Sequence, residues 1–470
     1  MPQKHEIRDL SVTLILNHKL KTVLLLTIAV RLLFLLIFGK SVFFYEQTGL
    51  IHGSTAYDEY ALNLLETGVY GRETGVPDSN IAPLYSYVVA AIYATIGRGG
   101  LQIGLFHILL DCLTIAFVYD VSRRLFKQGK LFERPIGEWV GAGAGLFTAF
   151  YPYLVFQNLT LIDTPIFMTL MSCFVWLMVI LREQEAYTRK TFLIALAGGI
   201  ILGITTLVRA LLPVFAILTA IWFLMRLRLV DSVLRLLPVA IVSVLVLIPW
   251  MIRSYNVYGE FVSVALNTGD NLWQGNNPMT IPLFEAGYDA QWSQPPENAI
   301  RGDVFRNNQI LTQSAIDYLN NNPEQIPALL WTKFLVYWSV EIAPRKNPAY
   351  RFILDEEGNL IPDVENDQDL QDEETFIQYE SGLFDRVARP VHLIYFTPLL
   401  VLAIIGIGLS AKQWREVSIL WFLQISMTVM YLIFHPATRY RVPTDPFLFI
   451  FSAYTVIIAL KWWLTRLKSN

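Results

Sequence analysis

Residues 237–252 read LPVAIVSVLVLIPWMI, an uncharged run of sixteen between Arg235 and Arg253. About 20 such residues in a helix, rising 1.5 Å each, cross the hydrocarbon core of a bilayer, and an apolar helix of that length needs lipid to cover it. Comparable runs recur at 21–39, 101–122, 139–157, 164–181, 191–208, 210–226, 390–409, 417–434 and 445–465. They exclude a single anchor on a soluble domain. The expected class is all-α integral membrane: a polytopic helical bundle of about 10 spans, or 11–12 helices with interfacial ones counted. Composition agrees, since 54% of the 470 residues are hydrophobic and 16% charged, whereas soluble domains carry about a quarter charged residues.

The net charge of -3 hides a segregation that sets the topology. With the amino terminus inside, the inside loops carry Arg123, Arg124, Lys127, Lys130 and Arg134, then Arg182, Arg189 and Lys190, then Arg226, Arg228 and Arg235. Lys412 and Arg415, and the tail with Arg466 and Lys468, follow suit, as the positive-inside rule requires. Met1 to Lys21 runs into the first span with no small-residue cleavage site, and reads as uncleaved. Cys112 and Cys173 both lie in apolar runs, so neither a disulfide framework nor a cysteine metal site is indicated.

Two further apolar stretches, Ala82–Gly97 and Ala328–Val340, are short for spans and adjoin outside loops. Were the first to cross alone, the basic loop 123–134 would move outside, so both are expected to be interfacial or re-entrant. The chain then divides into a membrane bundle 1–252 with a first outside loop 40–100, an outside region 253–389, and carboxy-terminal membrane helices 390–470. Function is sought in the outside segments. An acidic stretch runs through Asp355, Glu356, Glu357, Asp363, Glu365, Asp367, Asp369, Asp372, Glu373 and Glu374. It lacks the ligand order of an EF-hand and reads as a solvated loop.

Within the first outside loop, Tyr57-Asp58-Glu59-Tyr60 opens an amphipathic stretch. Adjacent carboxylates there suit either a helix amino terminus or a catalytic base held near the headgroups. Asp163 sits in the tight outside turn Leu161–Pro165, where it is a helix cap or a buried charge that needs a partner. Arg209, Arg253, Arg439 and Arg441 break the charge rule by lying outside. Each alone could snorkel to a headgroup, whereas four together suit a shared anionic ligand, because a guanidinium fork matches phosphate. A base beside a set of cations is what sugar transfer from a phosphate-linked donor requires. No glycine-rich phosphate loop or nucleotide-binding fingerprint is present, so the donor is expected to be lipid-linked and no nucleic-acid partner is expected.

These pieces, in order, resemble the GT-C superfamily of membrane glycosyltransferases, above all the branch with protein O-mannosyltransferases and lipid A aminoarabinose transferases (glycosyltransferase family 39-like). They are Tyr57-Asp58-Glu59-Tyr60 with Asn63-Leu64-Leu65, Ala82-Pro83-Leu84-Tyr85, Val118 to Phe126, Leu207-Val208-Arg209, Pro249 to Tyr255, Asn267 to Trp273 with Gly275-Asn276-Asn277-Pro278, and Arg439-Tyr440-Arg441-Val442-Pro443. The resemblance implies inverting transfer of a hexose or pentose, mannose among them, from a polyprenyl-phosphate donor. Asp58 would be the base, Glu59 its support, and Asp163 an orienting carboxylate. Arg209 and Arg439, and after them Arg253 and Arg441, would hold the donor phosphate, with Tyr57, Tyr85 and Tyr440 lining the cavity. No metal or other cofactor is implied. The partners would be membrane lipids, the polyprenyl-phosphate-linked sugar and an acceptor that the sequence leaves unknown. The chain would sit in a plasma (inner) membrane as a multi-pass protein, its site on the periplasmic or extracellular side. Two other functions compete: a polytopic transporter or lipid flippase using intramembrane Arg31, Asp111 and Asp120, and an O-antigen ligase-like transferase using a pyrophosphate lipid.

Overall fold

The computed structural model describes residues 17–43, 53–300, 302–346, 352–355, 357–363 and 383–469. The first 16 residues and most of the acidic stretch, 364–382, lie outside the described residues. In chain order the helices are α1 (His18–Phe43), α2 (Thr55–Thr67), α3 (Leu84–Ile96), α4 (Gly100–Leu125), α5 (Ile136–Ala149), α6 (Pro152–Gln157), α7 (Thr164–Glu183), α8 (Arg189–Thr206) and α9 (Leu212–Leu224). They continue with α10 (Leu229–Tyr258), α11 (Thr268–Gly275), α12 (Thr280–Ala286), α13 (Val304–Asn321), α14 (Ile326–Tyr337), α15 (Leu383–Leu409), α16 (Trp414–Ile433), α17 (Thr438–Arg441) and α18 (Asp445–Ser469). Among the described residues, sheet is confined to two short antiparallel pairs, 130–131 with 134–135 and 352–354 with 360–362.

The chain is therefore an all-α polytopic membrane protein. Eight helices, α1, α4, α7, α8, α10, α15, α16 and α18, are long and apolar enough to cross a membrane. Two runs expected to span depart from single long helices. Residues 139–157 break at Phe150–Tyr151, because Pro152 cannot continue the hydrogen-bond ladder and restarts the chain as the short α6. Residues 210–226 form α9, 13 residues opening with Pro213 in its first turn. The stretches expected to be interfacial fold as α3 and α14, of 13 and 12 residues. At 1.5 Å per residue each covers about 20 Å, short of the ~30 Å core.

Lipid offers no hydrophobic drive between helices, so close approach and polar pairing carry the packing. Gly199 and Gly203 let α8 lie directly on α10: a Cβ at Gly203 would stand 2.6 Å from Val246 Cβ and 2.8 Å from the Ser243 carbonyl. Several buried intramembrane charges are paired. Arg31 of α1 donates from Nε to Asp111 Oδ2 of α4 at 2.8 Å and from Nη2 to the Thr148 carbonyl at 3.1 Å, both side chains buried. Asp120 accepts from Arg123, Arg124 and the Trp176 indole. The first pair ties α1 to α4, and the Trp176 bond to Asp120 ties α7 to α4.

Gly203→Ala should lower the thermal unfolding midpoint of the detergent-solubilised protein, by the equivalent of about 1–3 kcal/mol, because the added methyl forces α8 and α10 apart. Gly408→Ala in α15, where a Cβ meets nothing within 4 Å, should leave the midpoint unchanged or raise it.

Candidate functional site

The site begins where the segment before α2 meets the turn between α6 and α7. Gly53 bridges to Leu161, and Ser54 donates its N–H to the Leu161 carbonyl at 3.0 Å. Gly53 has φ +123°, and a Cβ there would fall 2.3 Å from that carbonyl, so only glycine fits this contact. The bridge seats the start of α2 beside Asp163.

Successive residues on a helix point about 100° apart, so Tyr57 and Asp58 serve different places. Asp58 makes no cap to its own helix. It is nearly buried, forked by Arg98 (Nε to Oδ1 2.9 Å, Nη2 to Oδ2 2.5 Å), and accepts the Tyr93 hydroxyl at 2.7 Å. Glu59 turns outward and accepts from Arg72 at 2.6 Å. Tyr57 faces the other way, against Asp163 and edge-on to Tyr85, ring centroids 4.8 Å apart. Burial first, and then the Asp163 charge, raise the Tyr57 phenol well above its ordinary range, so it stays protonated as a donor. The Tyr85 hydroxyl in turn lies 2.9 Å from His107 Nε2.

Asp163 repeats the pattern of Asp58. Arg209 forks it, Nε to Oδ2 at 2.7 Å and Nη2 to Oδ1 at 2.5 Å, with a further bond from Nη2 to Thr164 Oγ1 at 3.0 Å. Burial works against the Arg209 cation, but the Asp163 carboxylate overrides it and raises its proton affinity. The Arg209 guanidinium then stands 6.0 Å from the Tyr440 ring centroid, and the Arg439 guanidinium 4.8 Å from the same centroid. Tyr440 is fixed between them by stacking on Tyr431 at 4.7 Å. Arg439 is about a third exposed; it donates to Tyr440 Oη at 3.0 Å and has Asp289 Oδ2 at 3.6 Å.

The turn that carries Arg439 is anchored at the end of α16, whose last carbonyls need donors. Lys333 Nζ donates to the Leu432 carbonyl at 3.0 Å and to Asn276 Oδ1 at 2.8 Å, while Asn276 Nδ2 donates to the Ile433 carbonyl at 2.9 Å. Gly275 fits under the Phe434 carbonyl, 1.9 Å from where its Cβ would lie. Lys333 is fully buried, and that burial pulls its amine down to about 7. His435, one residue further, is lowered by burial to about 4 and lies 3.3 Å from the Tyr440 hydroxyl.

The structure thus brings together Tyr57, Tyr85, Asp163, Arg209, Arg439 and Tyr440, with Asp58 on the adjoining face of α2. It does not bring Glu59, Arg253 or Arg441 to that cluster. Arg253 binds the carbonyls of Asp78 and Tyr70, each at 2.5 Å, and holds the loop between α2 and α3 on α10. Arg441 is buried, its Nε 3.3 Å from Asp445 Oδ1, its Nη1 2.6 Å from the Ser339 carbonyl, and its plane 3.9 Å over Phe396. Arg98, Tyr93, Asp289, His435 and Lys333 were not singled out by sequence. Arg98 carried the same signal as the other four arginines, a cation on the outside; Lys333 sits inside an apolar run and carried none.

No family model matches the chain, and no curated protein matches it. Solved structures do. The archaeal oligosaccharyltransferase AglB from Archaeoglobus fulgidus, in complex with an inhibitory peptide and a dolichol-phosphate, superposes with TM-score 0.54 at 13% identity, over 96% of this chain and 51% of that one. The same organism's oligosaccharyltransferase complex with Zn and sulfate gives 0.53 at 12%, over 95% and 50%. ArnT from Cupriavidus metallidurans bound to undecaprenyl phosphate gives 0.42 at 15%, over 90% and 77%. The chain spans about half the length of the oligosaccharyltransferases it matches. These neighbours are GT-C membrane glycosyltransferases, and at this identity the likeness to the oligosaccharyltransferases establishes a shared fold.

Lys333 fixes the sign of a pH effect. Its folded value of about 7 lies below the ordinary 10.5, so between those values the unfolded chain holds the extra proton and stability rises with pH. Lys333→Met should remove this component, flattening the plot of melting temperature against pH above neutrality. A variant with the wild-type slope there would contradict the assignment.

Proposed function

We propose that this chain is a GT-C glycosyltransferase that moves a sugar from a polyprenyl-phosphate donor to a hydroxyl acceptor on the non-cytoplasmic face of a plasma or inner membrane. The observation that carries the proposal is that the Arg209 and Arg439 guanidiniums both stand within about 6 Å of the Tyr440 ring, each with a buried guanidinium N–H, Arg209 Nη1 and Arg439 Nε, that meets no protein acceptor. Two cations around one apolar ring, close to the ends of apolar helices, suit a phosphate attached to a lipid chain. The neighbouring oligosaccharyltransferase was solved with a dolichol-phosphate, which supports the same donor class.

In the proposed step the acceptor hydroxyl gives its proton to the Asp58 carboxylate as its oxygen bonds to the anomeric carbon. The bond from that carbon to the phosphate oxygen breaks on the opposite face, and configuration inverts. The bonding pair leaves with the polyprenyl phosphate, whose charge is met by Arg439 and Arg209. Asp163 keeps Arg209 and Tyr57 in position, and Tyr57 and Tyr85 wall the sugar. Arg253 and Arg441 act by holding the first loop and the α17 turn.

Asp58→Asn should cut transfer by about 10²- to 10⁴-fold while donor binding persists, as for loss of a positioned base. Arg439→Ala should weaken donor binding and transfer together by roughly ten- to a hundredfold. A radiolabelled polyprenyl-phosphate hexose supplied to purified protein in nanodiscs measures both; near-wild-type turnover in Asp58→Asn, Asp163→Asn and Asp58→Asn/Asp163→Asn alike would overturn carboxylate-assisted transfer. For topology, single cysteines placed at Glu66 and Asn80 should react with an impermeant maleimide in intact cells, and protection of both would refute the outside placement.

A further inference from the structure

Taking Asp58 as the base leaves one difficulty, and its resolution identifies a ligand. A carboxylate offers about four acceptor positions. The Arg98 fork takes two and the Tyr93 hydroxyl a third, on a side chain only 3% exposed. Held that way, Asp58 has little capacity left for a nucleophile's proton. We propose that Arg98 is an acceptor-side ligand for an anionic membrane lipid, and that its move from the carboxylate to the lipid phosphate releases Asp58 for catalysis.

The two arginine–aspartate pairs differ in exposure. Arg209 is 12% exposed, its guanidinium 5.2 Å from the Phe167 ring centroid and 6.0 Å from that of Tyr440. Arg98 is 35% exposed and follows Gly97, which has φ +89° with open space where a Cβ would lie. The turn backbone is held by the Gly97 N–H on the Tyr93 carbonyl at 3.1 Å and by Gln102 Nε2 on the Ile96 carbonyl at 3.2 Å, so the part able to move is the Arg98 side chain. The more exposed of the two pairs is the one that masks the base.

Position identifies the occupant. Arg98 lies between the end of α3 and the start of α4, where Ile96, Leu101 and Leu105 are 62%, 51% and 48% exposed. A guanidinium in an apolar rim at the end of a membrane-facing helix is placed to meet a lipid phosphate, which it forks as it forks a carboxylate. The donor's phosphate is not that ligand. In an inverting displacement the base and the leaving phosphate lie on opposite faces of the sugar carbon. Arg209 and Arg439 belong to the Tyr57 side of α2, whereas Arg98 belongs to the Asp58 side. Tyr85, beside Tyr57, and Tyr93, beside Asp58, are eight residues apart on α3, or about 12 Å. The anion at Arg98 therefore arrives with the acceptor. Until it does, the base stays masked and water is not activated against the donor.

The test uses full-length protein in phosphatidylcholine nanodiscs doped with either phosphatidylglycerol or uncharged diacylglycerol, and a radiolabelled polyprenyl-phosphate hexose. Wild type should turn over donor about tenfold faster with phosphatidylglycerol, the cost of one charge-assisted contact, with donor half-saturation unchanged. Arg98→Gln should lose this charge dependence and consume donor in diacylglycerol discs faster than wild type does; Arg98→Lys should restore part of the dependence. Wild-type turnover blind to lipid charge, or Arg98→Gln that keeps the dependence, overturns the proposal, and so does replacement of the lipid by soluble glycerol 3-phosphate. A second arm needs no donor: native mass spectrometry should find phosphatidylglycerol retained over diacylglycerol by wild type and not by Arg98→Gln, and equal retention overturns the proposal. Retention without any donor turnover would sink the assignment of Asp58 and leave the anion site standing. Turnover abolished by Asp58→Asn yet indifferent to lipid charge would keep the base and remove Arg98 from its role.

Discussion

Charge at the edge of a bilayer has to be paired, and two such pairs organise this molecule. Asp58 with Arg98 and Asp163 with Arg209 are each a bidentate fork with a tyrosine beside the carboxylate. An unpaired ion in such a place costs several kcal/mol, and removing one partner of a buried pair about 3–5. Each pair also ties parts distant in sequence. Asp58 joins α2 to the α3–α4 junction, and Asp163 joins the α6–α7 turn to the end of α8. The same rule operates within the bundle, where Arg31 holds Asp111, and in the turn before α18, where Arg441 holds Asp445.

The loops between these pairs are set by backbone groups rather than by a core of their own. Gly53 lies on the Leu161 carbonyl, Arg253 gathers the carbonyls of Tyr70 and Asp78, and Lys333 and Asn276 finish the carbonyls at the end of α16. Side chains that donate several hydrogen bonds to carbonyls fix a loop with little buried apolar area. The cations Arg253, Lys333 and Arg441 thus work as fasteners.

The bundle was legible in the sequence because its signal is long and cumulative: apolar runs and inside charges repeat down the chain. Breaks within runs were harder to see. Pro152 ends the helix at the middle of 139–157, yet hydropathy across that run is continuous. The candidate arginines were legible because each is an exception to the charge rule, and the carboxylates because Asp58 and Glu59 are adjacent and Asp163 sits in a tight turn between two apolar runs. Their partners were not. Whether an outside arginine meets a carboxylate, a carbonyl or open solvent depends on side-chain direction and on which loops touch. Arg253 and Arg439 look alike in sequence, yet one is spent on carbonyls and the other is a third exposed. Neighbours in sequence separate just as sharply, as Tyr57, Asp58 and Glu59 do around one turn of α2.

Electrostatics explains why the two faces of α2 are worth separating. Two like charges 4 Å apart repel by about 4 kcal/mol at an effective dielectric of 20. A carboxylate base standing against the donor phosphate would oppose donor binding by that order and would lose basicity once the phosphate's cations were drawn to it. In the proposed reading, Asp58 on one side of α2 and Arg209 and Arg439 beyond Tyr57 on the other keep base and phosphate apart. The cation side is also graded. Arg209 is neutralised by Asp163 at 2.5 Å, whereas Arg439 has Asp289 only at 3.6 Å. In the proposed reading an arriving phosphate gains most at Arg439, with Arg209 holding the architecture around it.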